Sequence, residues 1–133
     1  MIQQTFVIIK PEGVKRGLVG EIISRFEKKG LKIKKLAFRQ ISQELAKLHY
    51  SHLKDKPFFP KIIEAFTAGE VALLILEGEE AIQTVRTLIG HTDPLVAQPG
   101  TIRGDYGTVL PYNIVHASDC TTAADVEIER FFG

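Results

Sequence analysis

Residues 5–13 read Thr5-Phe6-Val7-Ile8-Ile9-Lys10-Pro11-Glu12-Gly13. The first five are a β-branched, apolar run with no polar alternation, which predicts a central, buried strand. The run stops at Lys10-Pro11-Glu12-Gly13, where proline and glycine impose a turn. Beyond the turn, Leu18, Val19, Ile22, Ile23 and Phe26 recur at helical spacing, and Gly30 stands where helices close. A strand followed at once by an amphipathic helix is the opening of a layered α and β fold.

Residues 31–41 mix Lys with Leu, Ile and Phe and read as a strand with one wet face. Ser42 is placed to cap a helix running to about Leu53. Residues 57–66 form a further helix with Pro57 in its first turn. Residues 71–76 are a second buried strand. Ala81, Ile82, Val85 and Ile89 make a helical stripe ending at Gly90. Residues 92–107, rich in Pro, Gly, Asp and Thr, read as one long loop of the kind that tends to carry function. Residues 112–115 give a last strand, and Ala124, Ile128, Phe131 and Phe132 a last helix. This order fits an α+β fold, a ferredoxin-like split βαβ sandwich whose four-stranded antiparallel sheet carries helices on one face. Periodicity supports the class but leaves the topology open.

The length of 133 residues matches one domain, 1–133, since domains hold about 100–200 residues. At 44% hydrophobic and 25% charged residues, the chain has the composition of an ordinary soluble globular protein. A net charge of +1 offers no global attraction to nucleic acid or anionic membranes. Any anion must therefore meet a local cluster of cations. A single cysteine, Cys120, rules out an internal disulfide. Residues 1–6 show no basic region leading into an apolar stretch, and the apolar run 71–76 is far short of the ~20 residues of a membrane helix. The expectation is a cytoplasmic protein.

No Walker-type loop and no G-x-G-x-x-G motif is present, so phosphate binding would fall to side chains. His116 is the sharpest candidate. It follows the apolar stretch Asn113-Ile114-Val115 and precedes Ala117-Ser118-Asp119, which reads as a helix start and a favourable place for anions. An imidazole is nucleophilic toward phosphorus when a carboxylate holds its other nitrogen, and Glu127 in the following helix is placed to do so. The alternative is a packed core histidine. Lys10, at the end of an apolar strand, is either a solvated lysine or an anion ligand. Arg103, within Pro99-Gly100-Thr101-Ile102-Arg103-Gly104-Asp105, suits bidentate phosphate binding or an ion pair with Asp105. Arg86 and Thr92 flank a helix end leading into the same loop. His49 and His52 are three residues apart on a helix, but nothing completes a recognisable metal set, and no protein-held metal is expected. Cys120 is either a small apolar residue or a thiol activated by a helix start. Phe58, beside Phe59, is a core aromatic or an open stacking surface for a base.

Four segments, in order and at matching spacing, resemble the nucleoside diphosphate kinase family over nearly the whole chain. Residues 113–120, NIVHASDC, are similar to the N-x-x-H-G-S-D signature around that family's phosphorylated histidine. The others are TFVIIKPEGVKRGLVGEII (5–23), HYSHLKDKPFF (49–59) and PGTIRGDYG (99–107). The resemblance implies a ping-pong enzyme in which His116 takes the γ-phosphoryl group of a nucleoside triphosphate such as ATP or GTP and passes it to a diphosphate. It implies that Glu127 orients the ring, with Tyr50 and Ser118 beside it. Lys10 and Asn113 would contact ribose hydroxyls and the transferring phosphate, and Arg86, Thr92 and Arg103 the outer phosphates. Phe58 and Leu110 would sandwich the base, with Leu53 also lining the nucleotide site. Mg²⁺ would bridge phosphate oxygens rather than sit in a protein cage.

Members of that family are tetramers or hexamers built on a common dimer, and residues 93–100 resemble a segment packed between subunits. A homo-oligomer follows from the resemblance, with nucleotides as partners, no membrane, and nucleic acid not expected as the main partner. Two positions depart from the family pattern. Ala117 and Pro111 stand where glycine is usual. The alanine is tolerated if its φ is negative, whereas the proline, which lacks an N–H, alters the backbone offered to the base. The competing class is a non-catalytic nucleotide- or nucleic-acid-binding regulator on the same fold. A phosphohistidine relay to protein acceptors shares the first step with the enzyme.

Overall fold

The computed structural model describes residues 1–133. Strand β1 (Ile2–Ile9) runs into the short helix α1 (Pro11–Lys15) and then α2 (Val19–Lys28). β2 (Lys32–Gln40), α3 (Gln43–His49), α4 (Phe59–Phe66) and β3 (Glu70–Glu79) follow. The chain closes with α5 (Ala81–Ile89), α6 (Ile102–Tyr106), β4 (Val115–Ala117) and α7 (Thr121–Phe132). The sheet is antiparallel throughout, in the order β2-β3-β1-β4. β1 pairs along its whole length with β3, from Ile2 opposite Glu79 to Ile9 opposite Ala72. It is therefore an interior strand, as its unbroken apolar run predicts.

That run also corrects the expectation of helices on one face. Successive side chains of a strand point to opposite faces, and both faces of β1 are covered. Val7 and Ile9 join Ala72, Leu74 and Leu76 against Ile22 and Phe26 of α2 and Val85 and Ile89 of α5. Phe6 and Ile8 join Val71 and Leu73 against Ala46 of α3, Ile63 and Phe66 of α4 and Phe131 of α7. A strand buried on both sides has no reason to alternate.

Several boundaries move. α3 is capped by Ser42, whose hydroxyl accepts from the Leu45 N–H at 3.1 Å, but ends at His49. Ser51–Leu53 is a separate 3-10 turn. α4 starts at Phe59, and the proline in its first turn is Pro60, not Pro57. The 92–107 stretch is not all loop, because the Thr101 hydroxyl accepts the Gly104 N–H at 3.0 Å and starts α6. Gly90, which ends α5 at φ +87°, could carry no side chain, since a Cβ would lie 2.5 Å from the Thr101 hydroxyl. β2 is an edge strand exposed on both faces over most of its length, Leu36 and Phe38 included, rather than on one.

The last strand is β4, not residues 112–115. Ile114 sits at φ +74°, outside any strand conformation, so the extended path begins only at Val115. α7 likewise starts at Thr121, with Cys120 as its cap. His116 is thus a strand residue rather than the forerunner of a helix.

Candidate active site

The sheet places His116 by pairing it with Ile8 of β1. Its ring stays partly open, at 24% side-chain exposure, while Val115 and Ala117 on either side are buried. Nε2 lies 2.9 Å from Glu127 Oε1, within α7. The Ser118 hydroxyl donates to the same oxygen at 2.6 Å, and the Ser118 N–H donates to the Phe6 carbonyl, which fixes Ser118 to β1. Burial raises the Glu127 pKa, but the bonds from His116 and Ser118 outweigh it and hold the carboxyl below its ordinary value. An ionised Glu127 only accepts, so the proton of a neutral His116 sits on Nε2 and the lone pair on Nδ1, which has no protein hydrogen bond.

A second imidazole backs the first. The His49 ring stands edge-on to His116 at 4.6 Å between centroids and packs against Tyr50, Phe66 and Phe131. Its burial, with His116 nearby, pushes its pKa down to about 3, so it is neutral at physiological pH. The Arg130 guanidinium donates to its Nδ1 at 3.1 Å. Donor atoms of His49, His116 and Glu127 lie within 4.8 Å of one another. All three already make hydrogen bonds, His49 to Arg130 and Glu127 to His116 and Ser118, and a guanidinium beside the cluster repels a cation. This chemistry does not suit a metal. His52 is exposed and lines the same cleft as His49 and Glu127, but it is not one of the three clustered donors.

Tyr50 caps α3 and stands edge-on to His49, whose ring in turn meets His116. Burial and the charges of Glu12 and Glu127 push its phenol above its ordinary pKa, while Arg103 pulls the other way, so the phenol sits among all three.

Lys10 ends β1 and is buried, 6% exposed. Its ammonium donates to the Pro111 carbonyl and to Asn113 Oδ1, the latter at 2.9 Å, and lies 3.6 Å from Glu12 Oε2. Desolvation lowers its pKa against the pull of Glu12. The Asn113 amide in turn donates to the Thr92 carbonyl at 3.0 Å. Arg103, in α6, is equally deep at 7% exposure. It donates to the carbonyls of Val115 at 2.8 Å, Gly90 at 3.1 Å and Asn113 at 3.4 Å. Asp105 pairs with Arg25 at 2.8 Å, which settles the choice of partner raised by the sequence. Of the five N–H groups of Arg103, three point into backbone and the remainder have no protein partner. Burial and the neighbouring Arg86 charge lower its pKa to about 10, which leaves it a cation at neutral pH. Arg86, in the last turn of α5, and Thr92 are exposed at the rim.

The remaining predicted residues are apolar and open. Leu53 is half-buried in the 3-10 turn, while Phe58 and Leu110 are 48% and 46% exposed. The Lys61 ammonium lies 6.0 Å from the centroid of the Tyr112 ring, tying α4 to the segment that carries Leu110. The two departures also find their places. Ala117 lies in β4 opposite Val7 without positive φ, and Pro111 supplies the carbonyl that takes Lys10. Cys120 is exposed, and its Sγ accepts the Ala123 N–H at 3.4 Å.

Sequence reasoning passed over Glu12, which had been read only as part of a turn, and Arg130. A carboxylate two residues from a strand-end lysine was the available signal for the first. Nothing local marks the second.

A family model described as nucleoside diphosphate kinase matches residues 3–133. The nucleoside diphosphate kinase of Carboxydothermus hydrogenoformans is 51% identical over 131 residues, covering 98% of this chain and 88% of that protein. That of Archaeoglobus fulgidus is 49% identical, covering 98% and 87%. Among solved structures, the halophilic nucleoside diphosphate kinase of Halobacterium salinarum in complex with CDP superposes with a TM-score of 0.96 at 46% identity. It covers 99% of this chain and 88% of that one. The Borrelia burgdorferi enzyme, a transition-state mimic with bound vanadate and ADP, gives 0.92 at 35% identity, covering 99% and 88%. With the match spanning nearly every residue, this chain belongs to the nucleoside diphosphate kinase family of phosphotransferases.

Proposed function

We propose that His116 is the carrier through which this phosphotransferase moves the γ-phosphoryl group of a nucleoside triphosphate to a nucleoside diphosphate. The observation that carries this reading is the tie between His116 Nε2 and Glu127, which leaves Nδ1 without a protein partner in a ring that is 24% exposed. The Nδ1 lone pair attacks the γ-phosphorus. The bond from that phosphorus to the β,γ-bridging oxygen breaks, and the diphosphate leaves with the electron pair. Glu127 neutralises the positive charge that develops on the imidazole. A terminal oxygen of a second diphosphate then attacks the phosphorus along the reverse path, and the P–N bond breaks with its electron pair returning to Nδ1, which restores the free ring. One site serves both halves, so the kinetics are ping-pong.

Lys10 and Arg103 supply fixed positive charge to the phosphoryl group in flight, and electrostatic stabilisation dominates such transfers. Arg86 and Thr92 meet the outer phosphates from the rim, and Asn113 the ribose side. Tyr50 and Ser118 support the ring and its carboxylate. Phe58, Leu110 and Leu53 offer apolar faces to a base, and stacking on a π-face selects little among bases. The CDP and ADP of the related structures support nucleotides of both ring types as ligands here. Mg²⁺ fits this site as a companion of the substrate, because the carboxylates at its inner end, Glu12 and Glu127, are already engaged by protein donors. When bound to the phosphates, the ion would shield their charge.

The chain is read as a single domain, 1–133, acting in the cytoplasm. No helix is long and apolar enough to cross a membrane. A homo-oligomer is supported by the exposed apolar groups of edge strand β2, Leu36 and Phe38, and of the 93–100 segment, Leu95 and Val96.

Mixing the protein with γ-labelled ATP and Mg²⁺ should give an acid-labile, base-stable label that His116→Ala abolishes. Equal labelling of the variant, or none on the wild type, would rule the reading out. In the latter case a non-catalytic nucleotide-binding role takes its place.

A further inference from the structure

We infer that Glu12 is a positioning residue for the phosphate end of this site. Its carboxylate secures Lys10 as a cation and pins the backbone turn at Ile114, from which the strand bearing His116 departs. The inference rests on the reading of His116 as carrier.

Three observations meet at this side chain. The first is charge. Lys10 is buried at the end of an interior strand, and its hydrogen-bond acceptors, the Pro111 carbonyl and Asn113 Oδ1, are neutral. The carboxylate paired with its ammonium is Glu12, at 3.6 Å. Two charged groups act on this lysine from the elements around it, Glu12 from α1 and Arg103 from α6, and the Tyr50 phenol at the end of α3 shares both as neighbours. Desolvation works against the charged lysine, Glu12 restores it, and Arg103 adds to the loss. A lysine this deep with no counter-ion sheds its proton and ceases to attract phosphate.

The second is backbone. Glu12 Oε2 accepts the Ile114 N–H at 3.1 Å. Ile114 is β-branched and held at φ +74°, a conformation such residues avoid unless their surroundings impose it. The Lys10 N–H donates to the Ile114 carbonyl at 2.8 Å, so the same dipeptide end is gripped on both sides. His116 lies two residues further on.

The third is an unsatisfied atom. Glu12 Oε1 is buried without a protein hydrogen-bond partner, in a side chain that is 14% exposed. Packing alone selects against a buried carboxylate with a bare oxygen. A site that needs its negative charge retains it.

The test compares Glu12→Gln and Glu12→Asp with wild type in the pH profile of kcat/KM, using ATP and a second nucleoside diphosphate with Mg²⁺. Glutamine keeps an oxygen for Ile114 but no charge for Lys10, so the alkaline limb should move down by at least about one pH unit. Phosphohistidine formation should slow at pH 9 far more than at pH 7. Aspartate restores the charge and should return the limb toward wild type. A Glu12→Gln protein with a wild-type melting temperature and an unmoved alkaline limb overturns the inference. So does loss of the fold, which would assign the carboxylate to stability instead. A wild type that takes no label removes the carrier reading itself, whereas a labelled wild type beside an unmoved Glu12→Gln profile removes only this inference.

Discussion

The two ends of the proposed nucleotide site are built on opposite terms. At the phosphate end, Lys10, Arg103 and Asn113 are buried and bonded to backbone or to one another before any substrate arrives. At the base end, Phe58 and Leu110 stand about half exposed, with Tyr112 close to that. The inner end draws its rigidity from the core, since β1 and β4 deliver Lys10 and His116 and Arg103 laces three carbonyls together. Charge stabilisation needs fixed groups that do not reorganise as the reaction proceeds. A base held only by stacking needs none. Under the proposed function, the difference lets one protein be exacting about phosphorus and indifferent to which base is attached.

The sharpest way to break the comparison is His116→Ala, which should abolish turnover and labelling together while leaving the fold intact, as followed by circular dichroism. Arg103→Ala should lower kcat by about 10²–10³-fold, the scale for one electrostatic donor. It should also lower the melting temperature, because three carbonyls, two of them in buried bonds, lose their donor. Arg86→Ala, at the rim, should lose rate without losing stability. If the two variants melt alike, the division between a built inner end and an open rim fails.

His49 gives the inner end a pH signature. Its folded pKa of about 3 lies below the unfolded value of 6.5. Between those values the unfolded chain binds a proton that the folded one refuses. The stabilisation is therefore complete above pH 6.5 and is lost as pH falls toward 3, by up to about 1.4 kcal/mol per pH unit. Urea unfolding from pH 7.5 to 4.5 should show this slope, and His49→Gln should flatten it. The smallest effect belongs to the base end. Phe58→Ala should raise KM roughly fivefold with kcat nearly unchanged, and by similar factors for purine and pyrimidine nucleotides, given about 1 kcal/mol for a partly exposed stack. A large loss confined to one base would show that this end discriminates after all.

Local pattern carried much of this molecule. The apolar run 5–9, the helical stripe from Leu18 to Phe26 and the stripe from Ala81 to Ile89 all became the elements they describe, because burial period and element type are the same physical fact. His116, Lys10 and Arg103 were legible as unusual residues at strand ends and in a glycine-rich loop. Their convergence was not legible, since nothing in residues 10, 103 and 113 says that they touch. The misplaced last strand has a specific cause. Asn113-Ile114-Val115 reads as extended, yet a carboxylate from residue 12 holds Ile114 in a left-handed turn, and no local propensity anticipates a bond across 102 residues. Coverage of the sheet on both sides was likewise hidden, because helix periodicity tells that a face is buried and not against which side of the sheet.

By itself, then, the sequence determined the order of the strands and the longer helices, the absence of a backbone phosphate cradle and the identity of the nucleophile candidate. These follow from residue chemistry and spacing along the chain. Only the tertiary structure decided which nitrogen of His116 is free, which neighbour holds Lys10 and whether Arg103 pairs with Asp105 or with the backbone. Hydrogen bonds and ion pairs act over a few ångströms of space, and that distance is set by how the elements pack rather than by how far apart their residues stand in the chain.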